Sequence, residues 1–243
     1  MAASKIPKTK VRNADVTPEV RADMFAESPG SRFAVLSLGH GLRANAFYTA
    51  YIELRTEVYT KQTGMLSTND LAYGVDIDDD DDRSSAFLVV ENRASHAVAV
   101  ACVRVIERLG SDNRPLPADA LYGLDLGSEC LEVSRYIARL DDRSDQADVL
   151  RELLRSTVAH IRQHGTDDRV YAIVERPLER VLRIMGIGVT RIADPIWLDE
   201  YQGVNVAIRL DPIVSAANLG GLREIDELDV AEGAIRFWGE VKR

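Results

Sequence analysis

Within residues 130–138 apolar and polar side chains alternate, and an arginine stands where the pattern asks for an aliphatic one. The alternation makes this stretch a β-strand, with Leu131, Val133 and Ile137 on one side and Glu132, Ser134 and Tyr136 on the other. Arg135 falls in phase with the aliphatics. A guanidinium among buried aliphatics is costly unless a carboxylate neutralises it, so the strand demands an acid from elsewhere in the chain. Glu132 and Ser134 share the opposite side, where one small polar reactant can touch both. An edge strand with one wet face has the same pattern, so the rest of the chain must decide between the two.

One segment offers the acids: Asp76, then Asp78 through Asp82. It follows residues 42–60, which read as a helix with a broad apolar stripe through Leu42, Ala46, Ala50, Leu54 and Val58. Arg55 and Tyr59 are four apart and share a face of that helix. Arg104 sits in a strand-like run, residues 97–107, among Val98, Val100, Cys102 and Ile106. Three arginines in apolar settings with one acid cluster between them predict a buried charge network. The expectation is that at least one of Asp76, Asp78, Asp79 and Asp82 lies within salt-bridge distance of Arg55, Arg104 or Arg135. A solvated acidic loop is the alternative. A calcium loop is excluded, because Asp81 stands where an EF-hand needs glycine and Phe87 where it needs glutamate.

Further strands are predicted at residues 33–38, 86–91, 169–175, 188–192, 196–197 and 205–210. Further helices are predicted at 145–164, 178–185 and 226–241. This order gives an α+β fold, a mixed and mostly antiparallel sheet flanked by helices. Residues 1–31 read as a mobile arm with a short helix near 20–26, residues 32–212 as the folded domain, and 213–243 as a helical extension.

The net charge of −9 argues against a nucleic-acid partner. No run of about eighteen apolar residues is present, so no membrane span is expected. Cys102 and Cys130 lie in apolar runs and read as buried thiols of a reducing, cytoplasmic compartment. His160 and His164 are spaced as metal ligands on a helix, but no third ligand stands out, so no catalytic metal is expected. Neither a nucleophile elbow nor a phosphate-binding P-loop occurs. Trp197 and Trp238 read as packing residues.

The segment Tyr51-Ile52-Glu53-Leu54-Arg55-Thr56-Glu57-Val58-Tyr59, the acidic segment, Ala101-Cys102-Val103-Arg104 and Leu131-Glu132-Val133-Ser134-Arg135 together resemble the acyl-homoserine-lactone (autoinducer) synthases. They also resemble the related N-acyl amino acid synthases. The resemblance runs from about residue 33 to 212 and includes residues 179–187. It implies a GCN5-related N-acetyltransferase-like fold (the acyl-CoA N-acyltransferase fold). The implied activity is N-acyl transfer from an acyl carrier protein or acyl-CoA thioester to the amine of an amino acid or related small molecule, with no permanently bound cofactor. Alternatives are quorum-sensing signal synthesis with S-adenosylmethionine as acceptor, and a catalytically inactive binding protein of the same fold.

By the same resemblance Arg55, Tyr59, Arg104 and Arg135 are substrate-binding residues. Asp79 and Asp82 are the preferred match to the family's Asp-x-x-Asp pair; Asp76 with Asp79 and Asp78 with Asp81 fit the spacing too. Glu132 is the candidate base and Ser134 orients the acceptor or donates to the reacting carbonyl. Met65 or Leu66 occupies the region where the autoinducer synthases carry a tryptophan, which favours an amino acid acceptor. Residues 139–146 contain no glycine where this fold usually cradles the coenzyme A pyrophosphate, which favours a carrier protein as donor.

Overall fold

The computed structural model of the chain describes residues 22–28, 30–66, 71, 74–93, 96–165 and 168–240. Most of the proposed arm therefore lies outside the described residues; within it, Ala22–Glu27 forms a 3-10 helix. The strands are β1 (Ser31–Ser37), β2 (Ser84–Arg93), β3 (His96–Arg108), β4 (Cys130–Ala138), β5 (Val170–Glu175), β6 (Gly188–Arg191), β7 (Ile196–Leu198), β8 (Gly203–Asp211) and β9 (Ile235–Glu240). They form one sheet in the order β6-β8-β5-β4-β3-β2-β1-β9, with β7 also paired to β8. Every pairing is antiparallel except β4 with β5.

Helix α1 (Tyr48–Glu57) covers one face and α3 (Arg143–His164) the other. Each buries an apolar stripe on a face where β-branched and aromatic side chains alternate across the strands. On the α1 side Tyr51 and Leu54 pack with Leu36, Leu88, Ala99 and Cys102. On the α3 side Leu153 and Val158 pack with Val35, Val89, Val103 and Leu131, joined by residues of α4 (Arg176–Ile184), α5 (Pro212–Leu219) and α6 (Leu222–Asp226). Asp142 caps α3, its carboxylate accepting from the N–H groups of Ser144 and Asp145.

Two features depart from the alternation and the propensities. A bulge interrupts β4: Arg104 pairs with Ser134 and Cys102 with Ile137, so Arg135 and Tyr136 together oppose Val103. Arg135 takes a left-handed φ of 54° to make it. The bulge resets the phase, so Ile137 faces α1 with Cys102 while Leu131 and Val133 face α3. Arg135 therefore does not share a face with Leu131 and Val133. A second bulge lies on β3, where Val100 is the extra residue opposite Val89 and Val90, and it puts Val98 and Val100 on the α3 side, away from the Cys102 that neighbours Arg104.

The helix expected over residues 226–241 is replaced by the end of α6 and by β9. Phe237 packs into the α1-side core against Phe25, and Trp238 stacks on Phe33 in the other core at 5.5 Å. Consecutive aromatics that serve opposite faces are the pattern of a strand, and β9 finds its partner in β1. The segment after residue 212 thus begins with the helices α5 and α6 and ends in the sheet as β9. Trp197 is 59% exposed and is not a packing residue.

Candidate active site

Strands β4 and β5 pair over a short distance only, Leu131–Val133 against Val170–Ala172. Beyond that they become two walls of a cavity of about 400 Å³. Its lining is mainly apolar: Val133 and Ile137 from β4, Ile173 and Val174 from β5, Leu154 and Ile161 from α3, Leu178 and Leu182 from α4. At the end where the strands meet, Glu132, Ser134, Arg135, Tyr59 and Tyr201 supply polar groups. A long apolar slot with a polar end suits a reactive head group on an aliphatic tail.

Glu132 is 1% exposed, and its Oε2 accepts a hydrogen bond from the N–H of Ala118 at 2.9 Å. Ala118 belongs to α2 (Pro117–Tyr122), which lies in a stretch that shows only loop signals in the sequence. Burial pushes the Glu132 carboxyl up to about 8, although the Ala118 N–H and the charge of Arg104 oppose the rise. Tyr201 on the same cavity is pushed up to about 12 by burial, against the pull of Arg135.

Behind Ser134 lies the charge network. Arg55 is fully buried and donates Nε to Asp76 Oδ2 at 2.9 Å, Nη1 to Asp81 Oδ1 at 2.8 Å and Nη2 to Asp78 Oδ2 at 3.4 Å. Arg104 donates Nη1 to both Asp78 and Asp81, and its Nε to Ser134 Oγ at 3.0 Å. Arg135 reaches Asp78 at 3.1 Å and Asp76 at 3.4 Å, and its guanidinium lies over the Tyr59 ring, 5.1 Å from the centroid. Tyr48 donates its hydroxyl to Asp81 Oδ2. Three guanidinium groups against three carboxylates leave no net charge, which is the condition for keeping them out of water. Burial alone would raise the Asp78 carboxyl; Arg104, Arg55 and Arg135 outweigh it and hold it far below the usual carboxylate range. Among the described residues the buried Nε of Arg135 has no hydrogen-bond partner.

The expectation of a buried network is met through Asp76 and Asp78. The preferred pair, however, is corrected. Asp79 has a fully exposed side chain, and Asp82 is about half exposed and bonds Arg114. Asp78 is the cap of a 3-10 turn over Asp79–Arg83, and that turn sends Asp79 and Asp82 outward while Asp81 points in. The motif spacing alone could not set this phase, since Asp78 with Asp81 has the same separation. Arg55 and Tyr59 do face the site together, Tyr59 from a π-type turn (Val58–Gln62) that continues α1. Met65 lines the cavity beside Tyr59. Tyr201 was not foreseen, since it sits in a short turn after β7 that carries no motif.

No family model matches the chain, and no curated protein matches it in sequence. Solved structures match it over most of its length. The AHL synthase LasI is 17% identical, with a TM-score of 0.62 over 79% of this chain and 96% of its own. The CoA-dependent acyl-homoserine lactone synthase BjaI, solved with MTA, is 18% identical, with a TM-score of 0.60 over 77% and 86%. This chain has the acyl-homoserine lactone synthase fold. FeeM, an N-acyl amino acid synthase from uncultured soil microbes, shares that synthase fold at 14% identity and a TM-score of 0.54, over 77% of this chain and 95% of its own.

Proposed function

We propose that the protein is an N-acyltransferase that moves a fatty acyl group from a thioester to the amine of a small amino acid. The observation that carries this reading is the buried Glu132 carboxyl at the polar end of an apolar slot between parting strands. The acyl tail fills the slot, and the thioester carbon lies near Glu132 and Ser134. The amine attacks that carbon; its C–N bond forms as the C–S bond breaks, and Glu132 takes the ammonium proton directly or through one water. Tyr201, still protonated at neutral pH, is placed to return a proton to the leaving thiolate. Backbone N–H groups of β4 beyond its pairing with β5 supply the oxyanion contacts.

The acceptor's carboxylate has a natural partner in Arg135, whose charged side chain lines the cavity. Arg55 and Arg104 hold the aspartates that aim Arg135. Among acceptors, Met65 at the cavity wall favours an amino acid. Homoserine-lactone synthesis is the second reading, supported by the likeness to LasI and to BjaI, the latter also solved with SAM and isopentyl-CoA.

For the donor we favour an acyl carrier protein. The N–H groups that open α3 already have a carboxylate, that of Asp142, where a pyrophosphate would bind. In a chain of net charge −9, α4 also presents Arg176, Arg180 and Arg183 on its exposed side next to Val181 and Ile184, while its Leu178 and Leu182 line the slot. That surface fits an acidic carrier delivering its arm at the cavity. The test is release of free thiol from acyl-carrier-protein and acyl-CoA donors, each with a panel of amino acids and S-adenosylmethionine. Mass spectrometry of lipids from overproducing cells identifies the product. Turnover with an amino acid and a carrier donor supports the reading; turnover with S-adenosylmethionine alone selects the second; none with any pair overturns both.

A further inference from the structure

Three of the chain's four histidines converge on one buried carboxylate, on the face of the sheet away from Glu132. Glu107 lies near the end of β3, 4% exposed, in register with Leu131 of the α3-side core. His160 and His164 come from the last turns of α3, and their rings meet edge to face with centroids 4.4 Å apart. His160 Nε2 is 3.2 Å and His164 Nε2 3.9 Å from the same oxygen, Glu107 Oε1. His40, from the loop after β1, places Nδ1 3.1 Å from Oε2, and Ser85 donates its hydroxyl to Oε1.

The ligand atoms of Glu107, His160 and His164 all lie within 4.8 Å of one another. Ligands of a tetrahedral zinc ion stand about 3.3 Å apart, as follows from metal–nitrogen distances near 2 Å. Two imidazoles four apart on a helix form half of such a site. The third ligand is not apparent in the sequence because Glu107 is 53 residues from His160 and comes from another element. A proton shared between His160 and Glu107 satisfies one nitrogen; His164 Nε2, beyond hydrogen-bond length from that oxygen, is spaced for an ion. Ser85 and His40 hold the carboxylate's orientation, as outer partners of metal ligands do.

We propose that Glu107, His160 and His164 form a site for a divalent transition-metal ion of zinc type that clamps the end of α3 to β3. Water supplies the fourth position. Because the site lies across the sheet from Glu132, the ion has no part in acyl transfer, and the proposal does not depend on the function proposed above.

The test uses untagged full-length protein stripped with chelator and titrated with cobalt(II), then with zinc(II). Expected are one ion per chain, the visible absorption of tetrahedral cobalt displaced by zinc, and a thermal midpoint that rises with ion concentration. His164→Asn, at the surface, should weaken binding at least tenfold while its far-ultraviolet circular dichroism stays unchanged. Glu107→Gln should do the same, and His96→Asn should bind as the wild type does. Absence of cobalt absorption with no shift in midpoint overturns the proposal. So does undiminished binding by His164→Asn, or loss of binding in His96→Asn.

Discussion

Arg104 and Ser134 face each other across β3 and β4, with the guanidinium Nε donating to the hydroxyl oxygen at 3.0 Å. This contact joins the buried charge network to the strand that carries Glu132. A side chain that must hold two aspartates cannot also move, so the serine hydroxyl inherits the rigidity of the network. Lysine at 104 keeps the charge but cannot serve Ser134 and the aspartates at once. Arg104→Lys should therefore fold yet raise KM for the amine, and Ser134→Ala should do the same with smaller effect. Steady-state kinetics at varied amine concentration reads both. An unchanged KM in the lysine variant would detach the network from the acceptor.

Asp81 tests the network itself. Its carboxylate serves Arg55, Arg104 and Tyr48 and is fully buried. Asp81→Asn should cost about 3–5 kcal/mol, the usual result of breaking a buried pair. Asp79→Asn and Asp82→Asn should each stay within about 0.5 kcal/mol. Urea titrations of the three variants decide whether the inward phase of the turn is right.

Acid should act on the same group of residues. A carboxyl held far below its usual value, as at Asp78, stabilises the native state above its unfolded pKa and loses that contribution as pH falls towards its folded one. Stability should thus decline steeply below about pH 4, where free aspartate takes up its proton. Asp78→Asn should be less stable at neutral pH and should flatten this acid limb. An equally steep limb in the variant would place the acid sensitivity elsewhere.

Much of this site is legible in the amino-acid sequence. Alternation places Glu132 and Ser134 on one face, and three arginines in apolar runs point to the acidic segment, although Arg135 and Arg104 do not share a face with Leu131, Val133, Val98 and Val100. The bulge at Arg135 was not legible, because one extra residue changes the phase without changing the composition. The choice between Asp78 with Asp81 and Asp79 with Asp82 depended on a cap that the spacing does not encode. Strand β9 was hidden by acids and small residues that suit a helix; its pairing with β1 is a long-range contact that no local pattern announces. Tyr201 and the N–H of Ala118 reach the site by chain topology alone.

The length of the acyl chain should follow from the slot. Leu182 sits on its wall and is buried. Leu182→Trp fills part of a volume near 400 Å³ and should shift the preferred donor to shorter acyl chains without lowering the best kcat more than a few-fold. Competition between donors of different length, read by mass spectrometry, measures it. An unaltered preference would mean that the tail lies elsewhere.

Glu132 carries the central claim. A base with its carboxyl pushed up to about 8 must lose its proton to work, so kcat should rise with pH through that value. The same shift makes ionisation costly: native stability falls as pH climbs from the usual carboxylate range through about 8. Glutamine copies the protonated acid, so Glu132→Gln should be at least as stable as the wild type at pH 8. The direct measurement is thiol release by wild type and Glu132→Gln across pH 6–9, with folding checked by thermal midpoint. The account predicts a fully folded variant whose turnover is roughly a hundredfold or more lower and no longer rises through pH 8. A folded variant with wild-type turnover and an unchanged pH profile would contradict it.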